Sequence, residues 1–190
     1  MKQNKLTQEE GQLLIKIARE NISAYLNGGE YIPPTELPTI FNEKLGVFVT
    51  LSKDSNLRGC IGYPEPYMSL IDGLLDVSIA AAVDDPRFNP LSFKEFKSVK
   101  IEVSVLTKPE LVNVNSSNAY LEVLKVGCDG LIIENGYHRG LLLPQVPIEQ
   151  NWNIEQFLEA LCYKAGLNKD AWKSEDSKIF SFQSQIFEEK

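Results

Sequence analysis

Gly46-Val47-Phe48-Val49-Thr50-Leu51-Ser52-Lys53-Asp54-Ser55-Asn56-Leu57-Arg58-Gly59-Cys60-Ile61-Gly62 is the stretch whose reading decides the fold. β-Branched and aromatic residues dominate 46–51, and Asp54-Ser55-Asn56 supplies turn chemistry. The pattern therefore predicts a hairpin whose second strand spans 57–62. Strand side chains alternate between faces, so Arg58, Cys60 and Gly62 are expected on one side, with Leu57, Gly59 and Ile61 on the other against a core.

Thr7 and Glu10 have capping-box spacing before the hairpin, and Leu14, Ile17, Ala18, Ile22, Tyr25 and Leu26 follow at helical spacing until Asn27-Gly28-Gly29. A helix near 8–27 is expected. Beyond the hairpin, Ser69, Ile71, Leu74, Leu75 and Ala82 predict a helix over about 68–83, stopped by Asp84-Asp85-Pro86. Ser92 and Glu95 mark one short helical turn, and Val99, Ile101, Val103 and Val105 alternate with Lys100, Glu102 and Ser104 as a half-buried strand does. Leu57 and Ile61 should pack with those valines.

The second half repeats the order. A short helix near 117–125 ends at Gly127, Asn135-Gly136 makes a hairpin turn, and a strand from Tyr137 to Leu143 runs into a loop at Pro144. Asn153 caps a helix bearing Ile154, Phe157, Leu158, Leu161 and Ala165, and a strand from Ile179 to Phe187 follows. Arg139-Gly140 stands where Arg58-Gly59 stands in the first hairpin. The expectation is an α+β fold of two similar helix-hairpin-helix-strand units packed as one compact domain over 1–190, with an internal duplication at 7–107 and 117–187. Chance similarity is the alternative.

A length of 190 residues suits one compact domain, and 43% hydrophobic with 24% charged residues is ordinary for a globular chain. The net charge of -7 disfavours non-specific nucleic-acid binding, which draws on clustered Lys and Arg. Lys94, Lys97 and Lys100 come nearest to a basic stripe, but Glu95 interrupts them and they read as a solvated face. No apolar run reaches the ~20 residues that a membrane helix needs, and no signal-peptide core follows Met1-Lys2-Gln3-Asn4-Lys5, so a cytoplasmic protein is expected. Cys60, Cys128 and Cys162 are odd in number and widely spaced, which fits a reducing compartment. With a single histidine, His138, and no CxxC pair, no zinc site is expected. Phosphate-loop, dinucleotide and nucleophile-elbow motifs are missing, so the sequence names no cofactor.

Arg58 beside Cys60 favours the nucleophilic thiolate, and Gly59 and Gly62 let a ligand or another backbone come close. The same residues also fit a structural role, with Cys60 as a small buried side chain, Arg58 paired to Glu102 and the glycines at a bulge or tight contact. A base for Cys60 is missing unless His138 approaches it, and His138 reads better as an exposed or hydrogen-bonded hairpin residue. Cys162 reads as core and Cys128 as a loop residue. Asp85-Pro86-Arg87-Phe88 can bind a polar ligand, hold a cation or lock its loop by an internal ion pair, the last being preferred. Gln145 in Pro144-Gln145-Val146-Pro147 can read a ligand's donors and acceptors from a rigid loop.

Together, 46–50, Leu57-Arg58-Gly59-Cys60-Ile61-Gly62, Asp85-Pro86-Arg87-Phe88, Ile101-Glu102-Val103-Ser104-Val105-Leu106, Leu143-Pro144-Gln145-Val146 and 157–167 resemble the AMMECR-type domain family over almost the whole chain. The resemblance implies an α+β fold with unequal lobes and a cleft near the Arg-Gly-Cys strand. It brings no established reaction. It does imply a link to radical-SAM and Memo-type proteins, and so a role as an enzyme or accessory protein in a modification or redox pathway. Any iron–sulfur chemistry would belong to a separate protein, because this chain carries no cluster of cysteines for it. On the enzyme reading Cys60, Arg58 and Glu102 are catalytic, and Gly59, Gly62, Asp85, Arg87, Phe88 and Gln145 hold the ligand. On the binding-module reading the same cleft holds a small molecule or peptide without reaction, and on a third reading the chain is an interaction scaffold. The partner expected is an unidentified small molecule or protein.

Overall fold

The computed structural model describes residues 5–189. The chain is an α+β protein that divides into two compact units, Met1–Thr107 with Gln185–Lys190, and Lys108–Ser184. Each has its own apolar core.

In the first unit, helix α1 (Gln8–Leu26) begins at Thr7, whose hydroxyl accepts from Glu10 N–H while Thr7 N–H donates to the Glu10 carboxylate. Its apolar stripe, Leu14, Ile17, Ala18 and Ile22, is fully buried, as the spacing requires. A 3-10 turn at Thr39–Asn42 then leads to strands β1 (Gly46–Lys53) and β2 (Asn56–Tyr63). Asp54 and Ser55 between them both have positive φ, which gives the hairpin the twist its strands need. Helix α2 (Leu70–Val83) is capped by Ser69, the short α3 (Phe93–Phe96) by Ser92, and β3 (Lys100–Leu106) follows.

The three strands lie side by side in the order β2-β1-β3, antiparallel throughout. Val47, Val49 and Leu51 of β1 and Ile101, Val103 and Val105 of β3 are buried in the core shared with α1 and α2. The other face carries Phe48, Thr50 and Ser52, with Glu102 and Ser104 on β3. One expectation fails on this sheet. Between Leu51 and Ser52 the register slips, so Leu51 faces Gly59 but Ser52 faces Leu57, and Arg58 is the extra residue of a bulge. The alternation therefore breaks before Leu57, which is 45% exposed instead of joining the core, whereas Ile61 packs against it as expected.

The second unit contains β4 (Glu110–Leu111), a 3-10 turn leading into α4 (Tyr120–Val123), β5 (Asp129–Asn135), β6 (His138–Leu142), α5 (Val146–Glu149), α6 (Ile154–Lys164) and most of β7 (Lys178–Glu188). β5 lies between β6 and β7, and β4 pairs with β7. The two-residue β4 has too short a pattern to be read from sequence. Where a loop is expected after Pro144, Val146–Glu149 form one helical turn with Pro147 near its start, where a missing N–H costs nothing. Trp172, Phe157, Leu158, Leu161 and Cys162 fill this unit's core.

From Gln185 the chain belongs to the first unit again. Phe187 enters its core, and the Glu189 carboxylate takes Arg19 and Ile101 N–H. Among the described residues, no helix is long and apolar enough to cross a membrane.

Candidate functional site

β2 is the outer strand of its sheet, so the backbone of Cys60 turns one N–H and one C=O away from β1. Both are taken by the loop after α2. Asp85 Oδ2 accepts Cys60 N–H at 2.8 Å, and Arg87 Nη2 donates to the Cys60 carbonyl at 3.2 Å. The same carboxylate holds Arg87 through its backbone N–H, Nε and Nη2 at 3.1, 2.9 and 2.7 Å. Asp85 is buried, and the Arg87 guanidinium holds its carboxyl well below the usual carboxylate range, against the opposing effect of burial. The Asp85 carboxylate in turn keeps Arg87 charged, and the Cys60 side chain adds to this. Asp85-Pro86-Arg87 thus covers the edge of β2 at Cys60, and the internal ion pair preferred from the sequence is present.

Arg58 lies elsewhere. As the bulge residue it sends Nε and Nη2 to the two carboxylate oxygens of Glu95, at 2.9 and 3.1 Å, and Nη2 also to the Asn89 carbonyl at 2.9 Å. Lys53 completes the group at 3.5 Å from Glu95. Arg58 first, with Lys53 behind it, pulls the Glu95 pKa down. The partner expected for Arg58, Glu102, is two strands away across the sheet, and the guanidinium in polar contact with Cys60 is that of Arg87. Both guanidinium groups approach the Phe88 ring, whose centroid is 5.8 Å from Arg58 Cζ and 5.6 Å from Arg87 Cζ.

The two glycines are filled by the protein itself. A Cβ on Gly59 would run into the Ala81 carbonyl oxygen of α2, and one on Gly62 into the Phe48 ring and the Val47 carbonyl oxygen. Their smallness lets β2 approach α2 and β1, which is the close backbone approach and tight contact that the sequence offered for them.

What the sheet does assemble is a row. Cys60 faces Thr50 on β1, and Thr50 faces Glu102 on β3. All three are half-buried on the face opposite the core. The Thr50 hydroxyl donates to Cys60 Sγ at 3.3 Å, and Ser104 reaches Glu102 at 3.4 Å. At neighbouring-strand spacings of about 4.8 Å, Cys60 and Glu102 are ~10 Å apart, too far for direct proton transfer. Burial, and then the nearby Glu188 carboxylate, push the Glu102 pKa up. Glu102 and Glu188 line a cavity of about 190 Å³ with Ser52, Lys100, Ile101 and Glu189.

The remaining candidates belong to the second unit. Gln145 is exposed at the start of α5. His138 Nδ1 lies 3.1 Å from the Ala165 carbonyl, Cys128 is exposed and Cys162 is buried, all as their patterns suggest. Among the described residues, no group of three or more His, Cys, Asp or Glu side chains is placed to hold a metal ion. Sequence reasoning missed Glu95 and Glu188. The Ser92 to Glu95 spacing places Glu95 in the first turn of α3, but nothing local points it at Arg58.

The fold and the row define a mixed α+β protein with a polar sheet face beside a covered edge strand. Such a chain is identified by comparison with known proteins, and residues 15–187 match the AMMECR1 family model; the chain belongs to the AMMECR1 family. It is 55% identical over 187 residues to a protein of Methanococcus aeolicus, covering 97% of this chain and 94% of that one. Protein MJ0810 of Methanocaldococcus jannaschii is 52% identical, with 97% and 92% covered. The crystal structure of the uncharacterized protein PH0010 from Pyrococcus horikoshii superposes with a TM-score of 0.81 at 45% identity, covering 98% of this chain and 95% of that one.

Proposed function

We propose that this protein is a binding, accessory component of a modification or redox pathway, and that the Cys60, Thr50 and Glu102 row holds a small polar molecule or a peptide segment. The observation that carries this is the row itself: three polar side chains half-buried on one sheet face, with Glu102 next to Glu188. Half-buried polar groups on adjoining strands offer a ligand hydrogen bonds at strand spacing, with water partly excluded. The binding role is favoured over catalysis because Arg58 and Arg87 are both bound to carboxylates and the carboxyl of Glu102 is two strands from the thiol. The chemistry would then come from a partner protein, of the radical-SAM or Memo type that the family resemblance implies.

Native mass spectrometry of the protein purified gently from its own cells tests this. A co-purifying ligand should be retained by Cys60→Ser and lost from Thr50→Val and Glu102→Gln. A ligand held equally by all three variants would place binding elsewhere and overturn the proposal. A second reading, Cys60 as a nucleophile, draws on the Thr50 hydroxyl at its sulfur. It requires a mass increment on Cys60 itself that disappears in Cys60→Ser.

A further inference from the structure

The two ends of the row differ in charge. At the β2 end stands Arg87, 54% exposed, over an Asp85 side chain that is 2% exposed. Asp85 spends its oxygens on four N–H groups, three from Arg87 and one from Cys60. Of the five N–H groups of a guanidinium, Nε and Nη2 of Arg87 are engaged, by Asp85 and by the Cys60 carbonyl. The two on Nη1 have no oxygen or nitrogen acceptor among the described residues, although the Cys60 side chain also acts on this guanidinium, and they stand on a plane already fixed by the other bonds. A guanidinium pre-oriented in this way loses little freedom when it takes an oxyanion. At the β3 end, Glu102 and Glu188 place two carboxyls around the cavity that Ser52 and Lys100 also line.

We propose that Arg87 is the specificity-determining residue of the row: its Nη1 hydrogens take an oxyanion group of the ligand beside Cys60, while Glu102 and Glu188 turn anions away at the other end. The ligand class is then a polarised molecule with an oxyanion at the β2 end and a neutral or cationic group at the β3 end. This rests on the reading of the row as a ligand site.

The test uses Cys60 as a local reporter of charge, in the full chain with Cys128→Ser to remove the exposed thiol; Cys162 is fully buried. Rates of labelling by the anionic sulfonatoethyl and the cationic trimethylammonioethyl methanethiosulfonates are followed by mass spectrometry. Arg87→Met should lower the anionic-to-cationic rate ratio about tenfold and Arg87→Lys should restore most of it, whereas Glu102→Gln, ~10 Å away, should raise it about twofold. Should Arg87→Met fail to fold, salt replaces it. Raising the ionic strength of the Arg87-containing protein from about 0.01 M to about 1 M shortens the Debye length from about 30 Å to about 3 Å and should lower the ratio several-fold. A ratio that ignores both Arg87→Met and salt overturns the role of Arg87 and leaves the row as a site. A Cys60 silent to both reagents overturns the row as an accessible site, and this inference with it.

Discussion

Arg58-Gly59 and Arg139-Gly140 each lie on the outer strand of a hairpin in their unit's sheet, yet they do different work. The glycines agree. A Cβ on Gly59 would strike the backbone of α2 at Ala81, and one on Gly140 would come within 2.7 Å of Ala165 N, just beyond α6. In both units, then, an edge strand lies so close to a helix that only glycine fits. The arginines differ. Arg139 pairs with Glu134, its direct cross-strand neighbour, at 3.0 Å, and its side chain is 39% exposed. Arg58, displaced by the bulge, is 15% exposed and reaches Glu95 on α3 and the Asn89 carbonyl. One dipeptide therefore makes a surface pair in a regular ladder and a loop-fastening pair where the ladder slips. Beyond it, Leu141 follows Gly140, while Cys60 follows Gly59 and has its outward backbone groups closed by Asp85 and Arg87.

Asp85→Ala should break that difference most severely, because it strips the Cys60 N–H and the Arg87 fork of their acceptor at once. A loss of about 3 kcal/mol is expected in the denaturant unfolding of the first unit. Asp85→Asn, which keeps an acceptor but not the charge, should cost less, and a loss below about 0.5 kcal/mol in Asp85→Ala would show that the edge does not need its cover. Gly59→Ala comes next, at about 2–3 kcal/mol, since a fixed carbonyl oxygen must move. Gly140→Ala should cost about 1–2 kcal/mol because its obstacle lies at the end of α6. Equal costs would deny the closer approach at Gly59.

Arg58→Met is expected to cost about 1–2 kcal/mol, and Arg139→Met less than about 1 kcal/mol, because the first removes a mostly buried partner and the second an exposed one. The same urea titrations read both. The smallest effect depends on pH. Glu102 has its pKa raised in the folded state, so ionising it opposes folding, and that penalty grows as pH rises above the ordinary value of 4.5. Glu102→Gln should accordingly stabilise the first unit by less than about 1 kcal/mol at neutral pH, with the gain vanishing near pH 4. Asp85 and Glu95 have the opposite sign. Their lowered pKa values stabilise the fold above the ordinary carboxylate range, and that contribution is lost as pH falls through their folded pKa values. A gain from Glu102→Gln that persists at pH 4 would mean that the raised pKa of Glu102 is not its source.

Much of the chain was legible because periodicity and caps are local. The capping box at Thr7, the alternation along 99–105, the Asn135-Gly136 turn and the Asn153 cap each act within a few residues, and the elements they mark fall where expected. The sequence by itself also placed Cys60 and Glu102 on the side of their strands away from the core and marked Asp85 and Arg87 as an ion pair in the loop that ends a helix. Only the tertiary structure decided how these meet. The bulge at Arg58 depends on how β2 pairs with β1, so a period-2 pattern drawn on one strand sent Leu57 to the wrong face. The choice of Glu95 for Arg58, the approach of α2 to Gly59 and the attachment of Asp85 and Arg87 to the edge of β2 join residues 22 to 37 positions apart. No local preference encodes such contacts, because they are fixed by the packing of whole elements, in which each polar group takes whatever partner that packing brings within reach.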